Sequence, residues 1–182
     1  MGIQQISGAS APLTAADLRS VCSIDASDTS FDGDLTNLIA AANNRIEDMS
    51  GKAFGAQTWN LALDTFPDSI ELPKGPVTAV AWIKYYDTTG TEQTLDASKY
   101  LVDLISNPAR LVPVPGLSWP AAQTRPNAIT VQFTSGYTTI PPKILQAIRT
   151  TVAAWFQTRE TTDLPVGVAE MLDLRGGNWG FA

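Results

Sequence analysis

The sequence predicts an α+β fold: N-terminal helices, an antiparallel β-sheet, a long C-terminal amphipathic helix and an extended C-terminal tail. Three observations predict it. Leu35, Leu38, Ile39, Ala42, Ile46 and Met49 recur at helical spacing and so share one face of a helix. From Gln57 the period falls to two, with Trp59, Leu61 and Leu63 alternating against Thr58, Asn60 and Ala62. After Pro141-Pro142, the residues Ile144, Leu145, Ile148, Val152, Trp155 and Phe156 again share a helical face. Prolines suit the first turn of a helix, where the amide donors are unpaired anyway. Helices and strands are thus grouped along the chain rather than alternating, which separates α+β from α/β.

Residues 1–12 are small and polar without periodicity, and they are expected to form a flexible arm or one ordered by a neighbour. Residues 13–160 are expected to form the α+β domain, and residues 161–182 a C-terminal assembly segment. Within the domain, Thr14 and Asp17 make a capping-box-like pair before a short helix over 15–22. Asp32 or Ser30 can cap the second helix, and Ser50-Gly51 stops it. Glu47 and Asp48 fall in its last turn, where the helix dipole disfavours acids by about 0.3–1 kcal/mol each. They are expected to be solvated or to meet a basic neighbour. Strands follow over 57–63, 70–72, 77–86 and 92–95, the last two joined by a turn at 87–90. Shorter strands are expected over 100–103 and 110–112. Pro113, Pro115, Gly116, Pro120 and Pro126 then interrupt a loop of roughly a dozen residues, a length that is uncommon in compact domains and often functional. A strand over 128–134 closes the sheet. Beyond the 142–159 helix, Pro165 opens a short helix carrying Val168, Met171 and Leu172, with Gly176 as its cap.

Composition limits the function. The chain has 182 residues, 44% of them hydrophobic and only 16% charged, consistent with a surface partly buried in an assembly. No apolar run is long enough to span a bilayer, and the N-terminus lacks a basic-then-apolar leader, so a cytoplasmic origin is expected. Net charge is −6, with no cluster of basic residues, which argues against tight nucleic-acid binding. An acidic wall past which DNA slides without sticking remains compatible with it. A single cysteine, Cys22, excludes an internal disulfide and any cysteine-cluster zinc site.

Catalytic patterns are missing. There is no histidine, so serine–histidine and cysteine–histidine nucleophiles are excluded. The acidic stretch 25–34 partly imitates a calcium loop, but position twelve counted from Asp28 is Ile39, where a bidentate glutamate is required. No glycine-rich phosphate loop follows a strand, and no carboxylate pair is singled out by spacing. No catalytic, metal or cofactor site is assigned, and the chain is not expected to be an enzyme. Trp59, Trp82 and Trp155 lie on element faces and are expected in the core. Trp119, in the proline-rich loop, and Trp179 with Phe181, in the tail, are expected to be contact residues, because exposed aromatics are enriched in interface anchors.

One ordered series carries more than composition does. It comprises Tyr100-Leu-Val-Asp103, Arg110-Leu-Val, Ser118-Trp119-Pro120, and then RPNAITVQFTSGYTTIPPKILQAIRTTVAAWFQTRE from Arg125. The chain over residues 13–175 resembles the small head–tail connector (adaptor) proteins of tailed bacteriophages and phage-like particles. The resemblance implies a virion structural protein at the head–tail interface, present in the host cytoplasm during assembly. It implies a ring, expected to be dodecameric, docked on the portal protein with tail or stopper proteins below. Such a ring would continue the channel for passing double-stranded DNA, without specific binding, cofactor or membrane. Candidate portal or neighbour contacts are Leu164, Pro165, Met171, Leu172, Arg175, Trp179 and Phe181, and candidate loop contacts are Leu117 and Trp119. Two other readings share the low charge and missing chemistry: another neck or tail-completion protein such as a stopper, and a cellular α+β binding module.

Overall fold

The computed structural model describes residues 1–8, 11–159, 161 and 163–172. The chain divides into two compact units, the first made of Met1–Ala9 with Gly55–Thr138, the second of Ser10–Phe54 with Thr139–Ala182.

The first unit is all β. Its strands are β1 (Gly2–Ser7), β2 (Gln57–Leu63), β3 (Ile70–Leu72), β4 (Val77–Tyr86), β5 (Glu92–Thr94), β6 (Tyr100–Asp103), β7 (Ala109–Pro113) and β8 (Ile129–Ser135). They form an antiparallel five-stranded sheet in the order β1-β2-β8-β4-β5 and an antiparallel three-stranded sheet in the order β3-β7-β6. The period-two pattern sets the register. Trp59 lies opposite Phe133, Leu61 opposite Val131 and Leu63 opposite Ile129, and these residues are buried while those between them are half-exposed. With Ile83, Leu111, Ile70 and Leu72 they make one core, each fully buried side chain contributing about 1.5–3 kcal/mol.

Two expectations are corrected in this unit. Residues 2–7 are a strand and not an arm: Ile3 pairs with Leu61 and Gln4 with Asn60. All six residues are exposed, so backbone pairing defines the strand and no hydrophobic alternation announces it. Trp82 is not core. Two register shifts in β4 change the phase of alternation, so that Val77, Val80, Ile83 and Tyr85 pair on the core side. Trp82 falls opposite Gln132 on the half-exposed face, with the Lys84 ammonium 5.1 Å from its ring. Where β8 ends, Gly136 at φ +124° donates its amide to the Pro76 carbonyl at 2.8 Å, and a Cβ there would overlap the Gly55 carbonyl. Only glycine fits that turn.

The second unit holds α1 (Ala16–Arg19), α2 (Asp32–Ser50), α3 (Pro142–Thr158) and α4 (Val168–Met171). The Asp17 carboxylate accepts from both the Thr14 amide and the Thr14 hydroxyl, at 2.8 and 2.7 Å, which fixes the start of α1. That helix ends earlier than the expected 15–22. Asp32 does not cap α2, whose N-cap is Phe31 without a side-chain bond. Its carboxylate instead takes a forked pair of bonds from Arg19, at 2.9 and 2.5 Å. Gly51 ends the helix in the left-handed conformation at φ 63°.

Leu35, Ile39, Ala42 and Ile46 are buried on α2, which packs on α3, while Met49 is exposed. Glu47 departs from expectation. It is buried, and its carboxylate accepts the Phe54 amide at 2.6 Å, returning the chain over the end of the helix. On α3 the buried residues are Ile144, Ala147, Ile148, Thr151, Val152 and Trp155. The Phe156 ring meets Phe31 edge-on at 5.7 Å. Cys22 is buried, as a small core residue.

Candidate assembly surfaces

In the first unit the proline-rich loop is stitched to the sheet. Trp119 stacks on Phe66 with centroids 5.1 Å apart and planes 10° from parallel, and Phe66 in turn meets Tyr85 edge-on. Past Trp119, the Gln123 amide donates to the Tyr86 carbonyl at 2.9 Å, and the Arg125 guanidinium sits 4.2 Å from the Tyr86 ring. Trp119 is thus half-buried against its own unit, and its indole Nε1 is buried without a hydrogen-bond partner. Leu117 has a different role. It follows Gly116, at φ 86°, and its amide closes a turn on the Val114 carbonyl at 2.9 Å, leaving its side chain 53% exposed. Of the two loop candidates, Trp119 holds the loop and Leu117 is displayed.

A second apolar display lies on β6 and the loop after it. Leu101, Val102 and Leu104 are exposed, and Ile105 is 99% exposed. The loop carrying Ile105 is fixed by Asp103, whose carboxylate accepts from the Ile105 and Ser106 amides, the Ser106 hydroxyl and Arg110 Nε. The Ser106 hydroxyl bond first, then the Ser106 amide and Arg110, hold the Asp103 pKa down at about 2. Asp87 does the same work in the β4–β5 turn. It accepts from Thr89 Oγ1, Gln93 Nε2 and the Thr91 and Thr89 amides, and its pKa is also held at about 2. Sequence reasoning missed Ile105 and its neighbours. The signal was present, since LVDLI places four apolar residues around one acid, but a strand with both faces open has no alternation to reveal it.

In the second unit the C-terminal segment leaves α3 under one anchor. Trp155 Nε1 donates to the Asp163 carbonyl at 2.8 Å. Leu164 and Pro165 are half-buried, Val168 is buried and holds α4 in place, Met171 is exposed and Leu172 is half-buried. Val166, which sequence reasoning passed over, is 99% exposed. Arg175, Trp179, Phe181 and the expected cap Gly176 lie outside the described residues. Beside the segment, Asp34, Asn37, Leu38, Trp155, Phe156 and Arg159 line an open groove of about 270 Å³. The Arg159 guanidinium lies over the Phe156 ring at 4.9 Å.

Two acids of 25–34 hold local turns, Asp25 accepting from Ser27 and Asp28 from the Ser30 amide, and a third, Asp32, is paired with Arg19. Among the described residues no three metal-ligating side chains converge, and no helix is long and apolar enough to cross a membrane.

No known family profile and no curated protein matches the sequence. Solved structures do match in fold. A chain in the neck of an empty gene transfer agent (GTA) particle, computed with C6 symmetry, aligns at a TM-score of 0.76 and 21% identity, covering 95% of this chain and 94% of that one. A chain in the virion of a native GTA particle aligns at 0.77 with the same identity and coverage. A chain in the neck of a native GTA particle, computed with C12 symmetry, aligns at 0.68 and 21% identity over 95% of this chain and 93% of that one. This protein shares its fold with those particle chains over 95% of its length.

Proposed function

We propose that the protein is a structural component of the neck of a phage-like particle, and specifically the head–tail connector that forms a ring between portal and tail. The observation that carries this reading is the alignment with a GTA neck chain over 95% of this chain and 94% of that one. A match over nearly all of both chains favours the same architectural part and not a borrowed domain. The ordered motifs of the sequence point the same way. The run of exposed apolar residues Leu101, Val102, Leu104 and Ile105 also fits a chain that packs against neighbours.

In this role the function is geometric and not enzymatic. Copies pack side by side, continue the channel for double-stranded DNA without gripping it, and present a surface to the next neck or tail protein. Contacts to the portal or to neighbouring copies are assigned to Leu164, Pro165, Met171 and Leu172, with Arg175, Trp179 and Phe181 beyond them. Leu117, positioned by Trp119, is assigned to the loop contact. The test is assembly without the protein. Particles produced in its absence should accumulate as heads lacking tails, and normally tailed particles would overturn the reading.

A further inference from the structure

This inference rests on the ring reading and names the contact that closes the ring. The first unit has two sheets and therefore four edges. Two are guarded. Strand β5 is three residues long, and its Glu92 is ion-paired with Lys84 at 2.9 Å. Strand β3 is also three residues long, its outward residue is the acid Glu71, and Pro73 follows it. Charge, proline and short length are the usual devices that keep a sheet edge from recruiting another strand.

The other two edges are less protected, since both strands are longer and neither contains proline. Strand β1 reads GIQQIS, without charge or proline, and all six residues are exposed. Its register shift falls between Gln5 and Ser7, so the regular part is its first four residues. Strand β6 is also four residues long. Its consecutive Leu101 and Val102 point to opposite faces, yet are 49% and 42% exposed. Its one charge, Asp103, is turned back onto Ser106 and Arg110.

We propose that β1 of one copy adds as a strand to the β6 edge of the next copy. A ring needs two unlike patches that meet head to tail, whereas an edge pairing with itself yields an isolated pair. Two less protected edges of equal regular length on one compact unit supply those patches. Main-chain hydrogen bonds provide the affinity, and Ile3 against Val102 provides the apolar cross-strand contact. A seam whose one carboxylate, Asp103, is already paired with Arg110 also spares a chain of net charge −6 from setting its own carboxylates against each other.

The experiment uses the full chain with buried Cys22 left in place. Ile3→Cys and Val102→Cys variants are mixed, allowed to form rings, and treated with a short bis-maleimide. A crosslinked dimer is expected from the mixture and not from either variant alone. Rings that give no mixed product overturn the proposal. Because Ile3 and Val102 are exposed, charged replacements test it without unfolding the chain. Val102→Glu or Ile3→Lys should lower ring yield by roughly tenfold or more, and the two together in one chain should restore it. Unchanged yield from either single variant overturns the pairing. The chain located at the neck without the mixed crosslink keeps the neck reading and sinks the strand pairing. Mixed crosslinks in rings of a chain absent from particles keep the pairing and sink the neck reading.

Discussion

The buried carboxylate of Glu47, in the last turn of α2, accepts the backbone amide of Phe54 at 2.6 Å. Phe54 is itself 1% exposed, so this amide has no access to bulk water. Glu47→Ala strands a buried donor, and a loss of about 1–3 kcal/mol is expected. Glu47→Gln keeps an acceptor oxygen and should cost less. Urea unfolding of the three proteins checks the order, and equal stability of Ala and wild type would contradict it.

Two glycines with positive φ separate strain from collision. Gly136→Ala meets the Gly55 carbonyl and is expected to destabilise by about 3 kcal/mol. Gly116→Ala has open space around it and should lose only about 1 kcal/mol. Thermal unfolding of both variants distinguishes them, and similar midpoints would contradict the Gly136 geometry.

The proline-rich loop divides its labour between Trp119 and Leu117. Trp119→Ala removes the stack on Phe66 and should cost about 1–3 kcal/mol. Leu117→Ser, at an exposed tip, should change stability by less than about 0.5 kcal/mol and instead lower incorporation into particles. A Leu117→Ser chain that incorporates normally would remove that residue from the contact.

Acid should loosen the Ile105 loop only at very low pH. The folded pKa of Asp103 lies at about 2, below its ordinary 3.8. A depressed carboxylate contributes stability that is complete above the ordinary value and is lost as pH falls from there through about 2. In a carboxyl NMR titration, Asp103 should titrate near pH 2, and Ser106→Ala should raise its midpoint towards 3.8. A midpoint that Ser106→Ala leaves unmoved would assign the depression to another partner.

Removal of residues 164–182 tests the C-terminal segment. The α2–α3 pair, in which Ile39, Ile46, Ile148 and Val152 are buried, should stay folded by circular dichroism. Incorporation into particles should be lost, and normal incorporation would refute the assignment.

Much of the fold was legible because burial wrote a period into the chain. Strands β2 and β8 alternate cleanly, since each has one face on the core, and Leu35, Ile39, Ala42 and Ile46 mark the buried stripe of α2. What was illegible obeys other physics. Strand β1 buries no side chain and so leaves no pattern. Trp82 was misplaced because register shifts move the phase of β4, which residue types alone do not reveal. Glu47 is buried for a backbone donor seven residues on, a partner no helical wheel displays. At the candidate surfaces, residue type does not reveal that Trp119 stacks on Phe66, nor that Ile105, in a short apolar run, is fully exposed. Exposure is a property of the folded neighbourhood, and Phe66 decides it for Trp119.

The most direct test of the neck assignment is location in the particle. The chain is tagged, DNA-filled particles are purified, and the tag is found by electron microscopy. Signal confined to the single head–tail vertex is the predicted result; a chain absent from finished particles, or spread over the head, would contradict the account.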